Sequence, residues 1–163
     1  MRKGSLVWDE MSITKSLKFD PQKLQFEGSV DFGLDDINED PKENTDQLAD
    51  HCLVFMFRPY RSSWVQPIAV SATKEAAPGH IISRLLLMAI VALEIFGARV
   101  SSVACYGAQM NLNAWADCGI FGTPNENGQI NCSMEHPTAK VQNESTVQMR
   151  KELHLLTPEA CKS

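Results

Sequence analysis

Residues 52–58, CLVFMFR, hold six apolar side chains in a row with no polar position between them. A strand with one exposed face alternates polar and apolar residues. A continuous apolar run of this length is therefore typical of a strand that is covered on both faces. The pattern predicts a strand at the centre of a sheet, with a neighbouring strand on each side.

Two further strands flank the central strand in the sequence. Residues 6–8, LVW, predict a short first strand, and residues 64–72, WVQPIAVSA, predict a third. Pro67 suits a sheet edge, because proline cannot donate a hydrogen bond to a β ladder. Between the first and the central strand, four apolar residues alternate on both sides of Asp20-Pro21, which predicts an inserted hairpin (Leu17, Phe19, Leu24 and Phe26).

The segment after the third strand predicts a helix, a strand and a second helix. Residues 78–96 are almost entirely apolar, so they predict a long helix that starts at proline, stops at Gly97 and packs tightly under the sheet. Residues 99–105, RVSSVAC, predict the fourth strand. Residues 108–119 predict the second helix, with Gly119 at its C-terminal end.

This order of elements predicts an α/β fold with a mixed sheet of strand order 3-2-1-4. Two tight antiparallel connections followed by a helical crossover place the fourth strand beside the first and parallel to it, which is the ribonuclease-H-like arrangement. The ends of these two strands then lie about 5 Å apart, where open α/β sheets bind their ligands. We expect Asp9, which ends the first strand, and Tyr106, which ends the fourth, to meet there.

The net charge of −5 is concentrated in one segment. Residues 31–50 hold eight of the twenty acidic residues and one base, Lys42. Because like-charge blocks are usually solvated, the core of this segment, residues 34–48, predicts an acidic loop rather than a metal site.

The cysteine pattern and the apolar runs favour an intracellular protein. Five cysteines form no CxxC pair, and their odd number argues against a closed set of disulfides. The N-terminus lacks the pattern of a signal peptide. The longest uncharged apolar run, residues 85–93, is far shorter than the roughly 20 residues of a membrane span. We therefore expect no membrane association.

Four stretches resemble one family in the same order. They are LVWDEMSI (6–13), FEGSVDFG (26–33), ADHCLVFMFRPYRSSWVQPIAV (49–70) and VACYGAQMNLNAWADCGI (103–120). Together they resemble the ribonuclease-H-like catalytic domain of P-element transposases and their THAP-domain relatives, over roughly residues 4–139. The resemblance implies metal-dependent DNA strand cleavage and joining, with Mg²⁺ or Mn²⁺ as cofactor, transposon-end DNA as partner and a nuclear location.

The resemblance also implies which residues form the site. Three acids hold two metal ions in this family, and Asp9 corresponds to the first, as a catalytic and metal-binding residue. The second belongs to a Cys-Asp-Gly-Ala motif, where this chain has Cys105-Tyr106-Gly107-Ala108. The third lies after an inserted nucleotide-binding region, further along than this chain extends. The first cysteine of this chain is Cys52. We therefore expect the zinc-binding, DNA-reading domain that precedes the catalytic domain in relatives to be missing.

Tyr106 is a poor replacement for a carboxylate. A phenol with a pKa near 10 is neutral at pH 7 and binds hard cations weakly. Two-metal chemistry needs anionic oxygens, so losing one should slow the reaction about a thousandfold or more. We therefore expect a truncated, catalytically inactive domain of transposase descent. Two alternatives stay open: part of an active transposase completed by a longer isoform, or a domesticated protein-interaction module that could self-associate.

The resemblance ends near Ala139, so we assign residues 1–139 to the truncated domain and residues 140–163 to a divergent tail. In the tail, Ser145 and Gln148 could form a capping box, and three apolar residues share one helical face (Met149, Leu153 and Leu156). This pattern predicts a short helix that docks where the fifth strand should lie.

Other candidate residues favour structural roles. Cys132 and His136 have a Cys-x3-His spacing, but no second pair completes a zinc site, so a surface loop is expected. His51 has no partner in the sequence besides Asp50 and is expected to be structural. Asp117 should face solvent, and Glu10 should point away from Asp9. The three tryptophans, Trp8, Trp64 and Trp115, are expected to pack in the core or on the sheet. The basic residues Arg58, Arg61 and Lys74 are expected to lie in solvated turns.

Overall fold

The computed structural model describes residues 2–22, 25–33, 47–121, 124, 127–128, 130, 132–137 and 147–148. Its elements in chain order are β1 (Arg2–Ser12), β2 (Lys18–Asp20), β3 (Gln25–Glu27), β4 (His51–Pro59), β5 (Gln66–Thr73), α1 (Gly79–Ile95), β6 (Ala98–Cys105), α2 (Gln109–Asp117), β7 (Ser133–Met134) and β8 (Val147–Gln148). Among these residues, no helix is both long and apolar enough to cross a bilayer.

The main sheet has the order β5-β4-β1-β6. β4 pairs antiparallel with both β1 and β5, whereas β6 pairs parallel with β1 after the α1 crossover. This order confirms the predicted α/β mixed sheet with strand order 3-2-1-4. The hairpin insertion also forms, because β2 and β3 pair antiparallel with Phe19 opposite Phe26. Leu24 of the predicted hairpin pattern lies outside the described residues.

The core lies between the sheet and α1. Alternate residues of β1 and β4 are buried against the helix, among them Leu6, Trp8 and Phe55. The central strand was predicted to be covered on both faces, but in the described structure its burial alternates: Val54 and Met56, on the face away from α1, are only half-buried. Neighbouring strands provide this partial burial, so an unbroken apolar run did not require a second packed layer.

The helix α1 is less completely packed than its apolar sequence predicts. One stripe is buried against the sheet, including Leu86 and Ile90. Met88 and Ile95 are 49% and 75% exposed, and Phe96 after the helix is 87% exposed. Met88, Phe96 and Val70 at the β5 edge line an apolar groove, which we call the α1–β5 groove.

Glycines determine how the helices end and meet. Gly97 and Gly119 have φ of +76° and +81°, as the sequence predicts for residues that stop helices. Gly79 allows α2 to approach α1 closely, because a Cβ atom there would lie 2.6 Å from Asn113 Cβ. The two helices therefore pack as one unit on the same side of the sheet.

A short segment that was not predicted to be a strand protects the predicted edge. Asp31 and Ala72 exchange two backbone hydrogen bonds of 2.8 Å, so the segment around Asp31 pairs with β5. Val30 and Phe32 on either side of it are buried. Asp31 belongs to the acidic segment of the sequence, and its pairing with β5 was not predicted. Residues 34–46, most of the predicted acidic loop, lie outside the described residues.

The tail residues that the structure describes are extended. Val147–Gln148 pairs antiparallel with Ser133–Met134, and this short strand lies beside β6. Gln148 is therefore not in the helical position that the predicted capping box requires. The other tail residues of that pattern, including Ser145, lie outside the described residues. The domain boundary near residue 139 stays a prediction.

Candidate functional site

The parallel pairing of β1 with β6 ends at the pair Trp8 and Cys105. Asp9 and Tyr106 each lie one residue beyond that pair, and we call this position the β1–β6 rim. The first strand was expected to end at Asp9, but β1 continues to Ser12 because β4 pairs with it along that length, with Asp9 opposite Val54. Only the pairing with β6 stops at the rim.

A bridge of hydrogen bonds holds the two sides of the rim together. Trp8 donates from Nε1 to Asn111 Oδ1 at 2.9 Å, and Asn111 donates from Nδ2 to the Tyr106 carbonyl oxygen at 2.8 Å. Asn111 lies in the first turns of α2, so β1, the turn after β6 and α2 are joined. Sequence reasoning missed Asn111, because nothing in the pattern of α2 marks an inward-facing amide.

Asp9 is exposed and lies close to Cys105. Its Oδ1 accepts a 2.8 Å hydrogen bond from the backbone N–H of Glu10. Burial raises the pKa of Cys105 to about 12, and the negative charge of Asp9 adds to that increase. The charge of Asp9 therefore affects the pKa of the residue that precedes Tyr106. The Tyr106 side chain is 63% exposed.

Glu10 points to the opposite face from Asp9, as strand alternation predicts. Its Oε1 accepts hydrogen bonds from Thr73 Oγ1 at 3.1 Å and from the backbone N–H of Ala77 at 2.9 Å. Both partners precede α1, and Ala77 is fully buried. Glu10 therefore fixes the connection between β5 and α1, and is not available to the rim.

The rim residues do not fit a two-metal centre. Such a centre needs several anionic oxygens converging on the ions. Asp9 contributes one carboxylate, and the residue at the corresponding end of β6 is tyrosine instead of an acid. The buried Cys105 thiol is protonated at neutral pH. Within the described ranges, no three histidine, cysteine, aspartate or glutamate side chains lie together in a way that could hold a metal ion.

His136 occupies a different place from the one expected. The spacing with Cys132 predicted a surface loop, but His136 is only 4% exposed and its Nε2 lies 3.1 Å from Glu94 Oε1 of α1. Burial lowers the pKa of His136, while the neighbouring Glu94 charge opposes that shift. The histidine therefore anchors the segment before it to the helix instead of facing solvent.

The remaining candidates divide between core and surface. Trp8 and Trp115 are buried with ring centroids 5.2 Å apart. Trp64 is 39% exposed and packs against Phe57, with ring centroids 6.2 Å apart, and under the Arg2 guanidinium, so all three tryptophans pack as predicted. Asp117 is exposed, as predicted, and accepts a 3.4 Å hydrogen bond from Ser83. Arg58 and Arg61 are exposed, and Lys74 contacts Gln47.

Comparison with known proteins now identifies the family. Residues 1–119 match the family model described as the TNP-like, RNase H N-terminal domain. The chain belongs to this family. In structure it is similar to the Drosophila P element transposase of a strand transfer complex, with a TM-score of 0.62 and 16% sequence identity. The similarity covers 90% of this chain and 26% of that transposase chain. The comparison with curated protein sequences found no match.

Membership in this family explains the arrangement of the rim. The chain is a transposase-type ribonuclease-H-like domain, with the mixed sheet and packed helices of that fold. The family uses divalent metal ions in general. The rim is the position where such a domain brings the ends of its first and fourth strands together.

Proposed function

We propose that this chain is a catalytically inactive ribonuclease-H-like domain of transposase descent, in which the rim no longer binds two metal ions. The observation that carries the proposal is the residue at the rim beside Asp9, which is tyrosine. A neutral phenol does not replace a carboxylate as a ligand for Mg²⁺ or Mn²⁺. DNA contact, if this domain retains it, would serve binding in the nucleus and not cleavage.

Support for the proposal comes from the surroundings of the rim. Glu10, the nearest acid in sequence, is committed to Thr73 and Ala77 on the other face. Asp117 lies at the far end of α2 from Tyr106 and contacts Ser83 of α1. Neither acid is in a position to replace the missing carboxylate without rearranging contacts that support α1.

The test is DNA nicking together with Mn²⁺ binding. Purified protein, transposon-end DNA and Mn²⁺ should give no nicking above that of Asp9→Ala. Mn²⁺ affinity, followed by electron paramagnetic resonance, should be equally weak in both proteins. Tyr106→Asp should raise the affinity about tenfold or more, because it places a second carboxylate at the rim.

Tyr60→Asp is the matched control, because the chain has only two tyrosines. Tyr60 follows β4 at the opposite end of β1, where its backbone N–H donates to Lys3 and its hydroxyl contacts Ser102. Tyr60→Asp adds the same negative charge as Tyr106→Asp but away from the rim, so it should leave the Mn²⁺ affinity unchanged. Asp9-dependent nicking by the unmodified protein would refute inactivity and favour an active transposase part that is completed by other segments.

A second candidate function is protein interaction, which the α1–β5 groove favours. Val70, Met88 and Phe96 line this groove and are 62%, 49% and 87% exposed. An apolar surface of this kind in a soluble protein is often a contact surface. Met88→Lys should abolish any self-association seen by analytical ultracentrifugation. A wild-type protein that sediments as a monomer at high concentration would argue against self-association.

A further inference from the structure

Three side chains near the end of β1 form a continuous hydrogen-bonded chain. Ser12 Oγ lies 3.1 Å from His51 Nε2, and His51 Nδ1 lies 2.8 Å from Asp50 Oδ1. Ser12 and His51 are directly opposite each other in the antiparallel β1–β4 pair. We call these three residues the Ser12 relay. The sequence predicts a structural role for His51, because its serine partner lies on a different strand and is distant in sequence.

The direction of the hydrogen bonds in the relay follows from the carboxylate. An ionised carboxylate can only accept, so Asp50 requires the hydrogen of the neutral imidazole to be on Nδ1. Nε2 then carries the lone pair and accepts from the Ser12 hydroxyl. A serine that donates to a histidine oriented in this way is the arrangement in which an imidazole can remove the serine proton.

Asp50 is held firmly and remains ionised. Its Oδ1 also accepts from the backbone N–H of Glu75 at 2.6 Å, and Lys15 Nζ lies 3.1 Å from its Oδ2. The hydrogen bond from His51, followed by that from Glu75, holds the pKa of Asp50 well below its usual range. Its backbone is fixed as well, by hydrogen bonds with Ile13 and Thr73. The carboxylate therefore has little freedom to leave the imidazole.

The serine end of the relay is open to solvent. Ser12 is exposed, and 31% of the His51 side chain is exposed. The pairing of β6 with β1 stops at Trp8, four residues before Ser12, so β6 does not cover this part of β1. A small molecule can therefore reach the hydroxyl from the side of β1 that faces away from β4.

The geometry points to Ser12 as an activated nucleophile toward small carboxylic esters, with His51 as its general base and Asp50 as the residue that positions the histidine. This inference does not depend on the proposed loss of metal binding, because it uses neither Asp9 nor Tyr106. It assigns to the domain a reactive site that a metal-dependent DNA enzyme does not need.

The reaction balances with water as the only co-reactant. Ser12 Oγ forms a bond to the carbonyl carbon while its proton passes to His51 Nε2. The bond from that carbon to the alcohol oxygen then breaks, and the alcohol leaves with the proton from Nε2. Water attacks the acyl-serine, transfers a proton to Nε2 and releases the acid, after which the proton returns to Ser12 Oγ. Fluorophosphonates should react in the first step alone, with loss of fluoride.

The experiment measures covalent labelling of the full chain by a fluorophosphonate and burst release of p-nitrophenol from p-nitrophenyl acetate. Intact mass should show one adduct, which peptide mapping places on Ser12. Ser12→Ala should not label. Ser16→Ala, which removes another exposed serine, should label like the wild type. His51→Ala should label about a hundredfold or more slowly, and added imidazole should restore part of the rate.

Rescue by imidazole separates a base from a structural histidine, because free imidazole replaces a lost base but does not repair a strand. If His51→Ala does not fold by circular dichroism, His51→Gln replaces it, since glutamine can hydrogen-bond but supplies no base. Asp9→Ala should label like the wild type, which separates this site from the rim. Wild-type labelling no faster than that of Ser12→Ala would overturn the proposal and leave the relay as a brace between two strands.

Discussion

The β1–β6 rim and the Ser12 relay lie within four residues of each other on β1, yet their side chains are partnered very differently. At the rim, Asp9 is exposed and accepts a hydrogen bond from the next residue along the chain. In the relay, Asp50 receives hydrogen bonds from His51 and Glu75 and an ion pair from Lys15. The relay carboxylate is therefore held by three other residues, whereas the described hydrogen bond of Asp9 comes from its own neighbour.

The difference arises from which strands meet at each point. The rim depends on two strand ends, and the residue identities at those ends decide whether it carries one carboxylate or two. The relay depends on three chain segments that backbone hydrogen bonds already join, through Ile13, Asp50 and Thr73. Side chains on such a frame keep their mutual distances because the backbone fixes them.

The largest effect is expected from Trp8→Ala. Trp8 is 1% exposed, packs against Trp115 and donates to Asn111, which holds the Tyr106 turn. Removing a buried tryptophan should lower the free energy of unfolding by about 3–5 kcal/mol. Urea denaturation followed by circular dichroism measures the change.

Trp64→Ala is the control for that loss, because Trp64 is 39% exposed and contacts Arg2 at the other end of the sheet. It should cost clearly less than Trp8→Ala. Equal losses in the two variants would mean that the burial of Trp8 and its hydrogen bond to Asn111 stabilise the fold no more than the partly exposed Trp64 does.

The second effect is a pH dependence that should come from Asp50. Its pKa is lowered in the folded chain, chiefly by the hydrogen bond from His51, so the unfolded chain binds a proton more readily. The stability from Asp50 is therefore present above the unfolded pKa of about 4 and is lost as the pH falls below it. Unfolding measured from pH 6 to pH 2 should show a shallower acid decline in Asp50→Asn than in the wild type.

Asp20→Asn controls for removing one carboxylate. Asp20 lies in the hairpin, where it accepts from the backbone N–H of Gln22. If Asp50→Asn and Asp20→Asn gave acid curves of the same shape, Asp50 would not be the more firmly held carboxylate, and the contrast between relay and rim would disappear.

Much of the fold could be predicted from sequence because it rests on local patterns. The apolar run of the central strand, the helix that Gly97 stops and the crossover after it were enough to give the strand order. The pairing of Asp31 with Ala72 was not predicted, because the polar–apolar alternation of residues 29–32, SVDF, is only four residues long and does not identify a partner strand. That pairing depends on where the chain returns after the hairpin, which is a tertiary property.

The candidate site was predictable only where it follows strand ends. Asp9 and Tyr106 could be assigned to one rim from the topology alone. Ser12 and His51 could not be joined, because they are thirty-nine residues apart and belong together only through the β1–β4 register. His136 was misjudged for the same reason, since its partner Glu94 belongs to a helix far from it in sequence.

The third effect is expected from Glu10→Ala. Its carboxylate accepts from the backbone N–H of Ala77, which is buried, so truncation leaves that donor without its partner. Such a loss should cost about 1–3 kcal/mol. Thermal and urea denaturation measure it, and Glu10→Gln, which keeps an accepting oxygen, should recover most of the loss. If Glu10→Gln were as damaging as Glu10→Ala, the acceptor role of Glu10 would be wrong.

The smallest effect is expected from Asp9→Ala, although Asp9 is the neighbour of Glu10. Its side chain is exposed and its hydrogen bond from the Glu10 N–H is local, so stability should change by no more than about 0.5 kcal/mol.

Adding Mn²⁺ sharpens the comparison, because a metal that binds only the folded chain stabilises it by ~0.4 kcal/mol when its concentration equals Kd, and by more above that. A lone carboxylate binds so weakly that millimolar Mn²⁺ should raise the melting temperatures of the wild type and Asp9→Ala equally. If Mn²⁺ stabilised the wild type but not Asp9→Ala, the rim would hold the cation through Asp9 together with further groups. The proposed loss of the metal centre would then have to be abandoned.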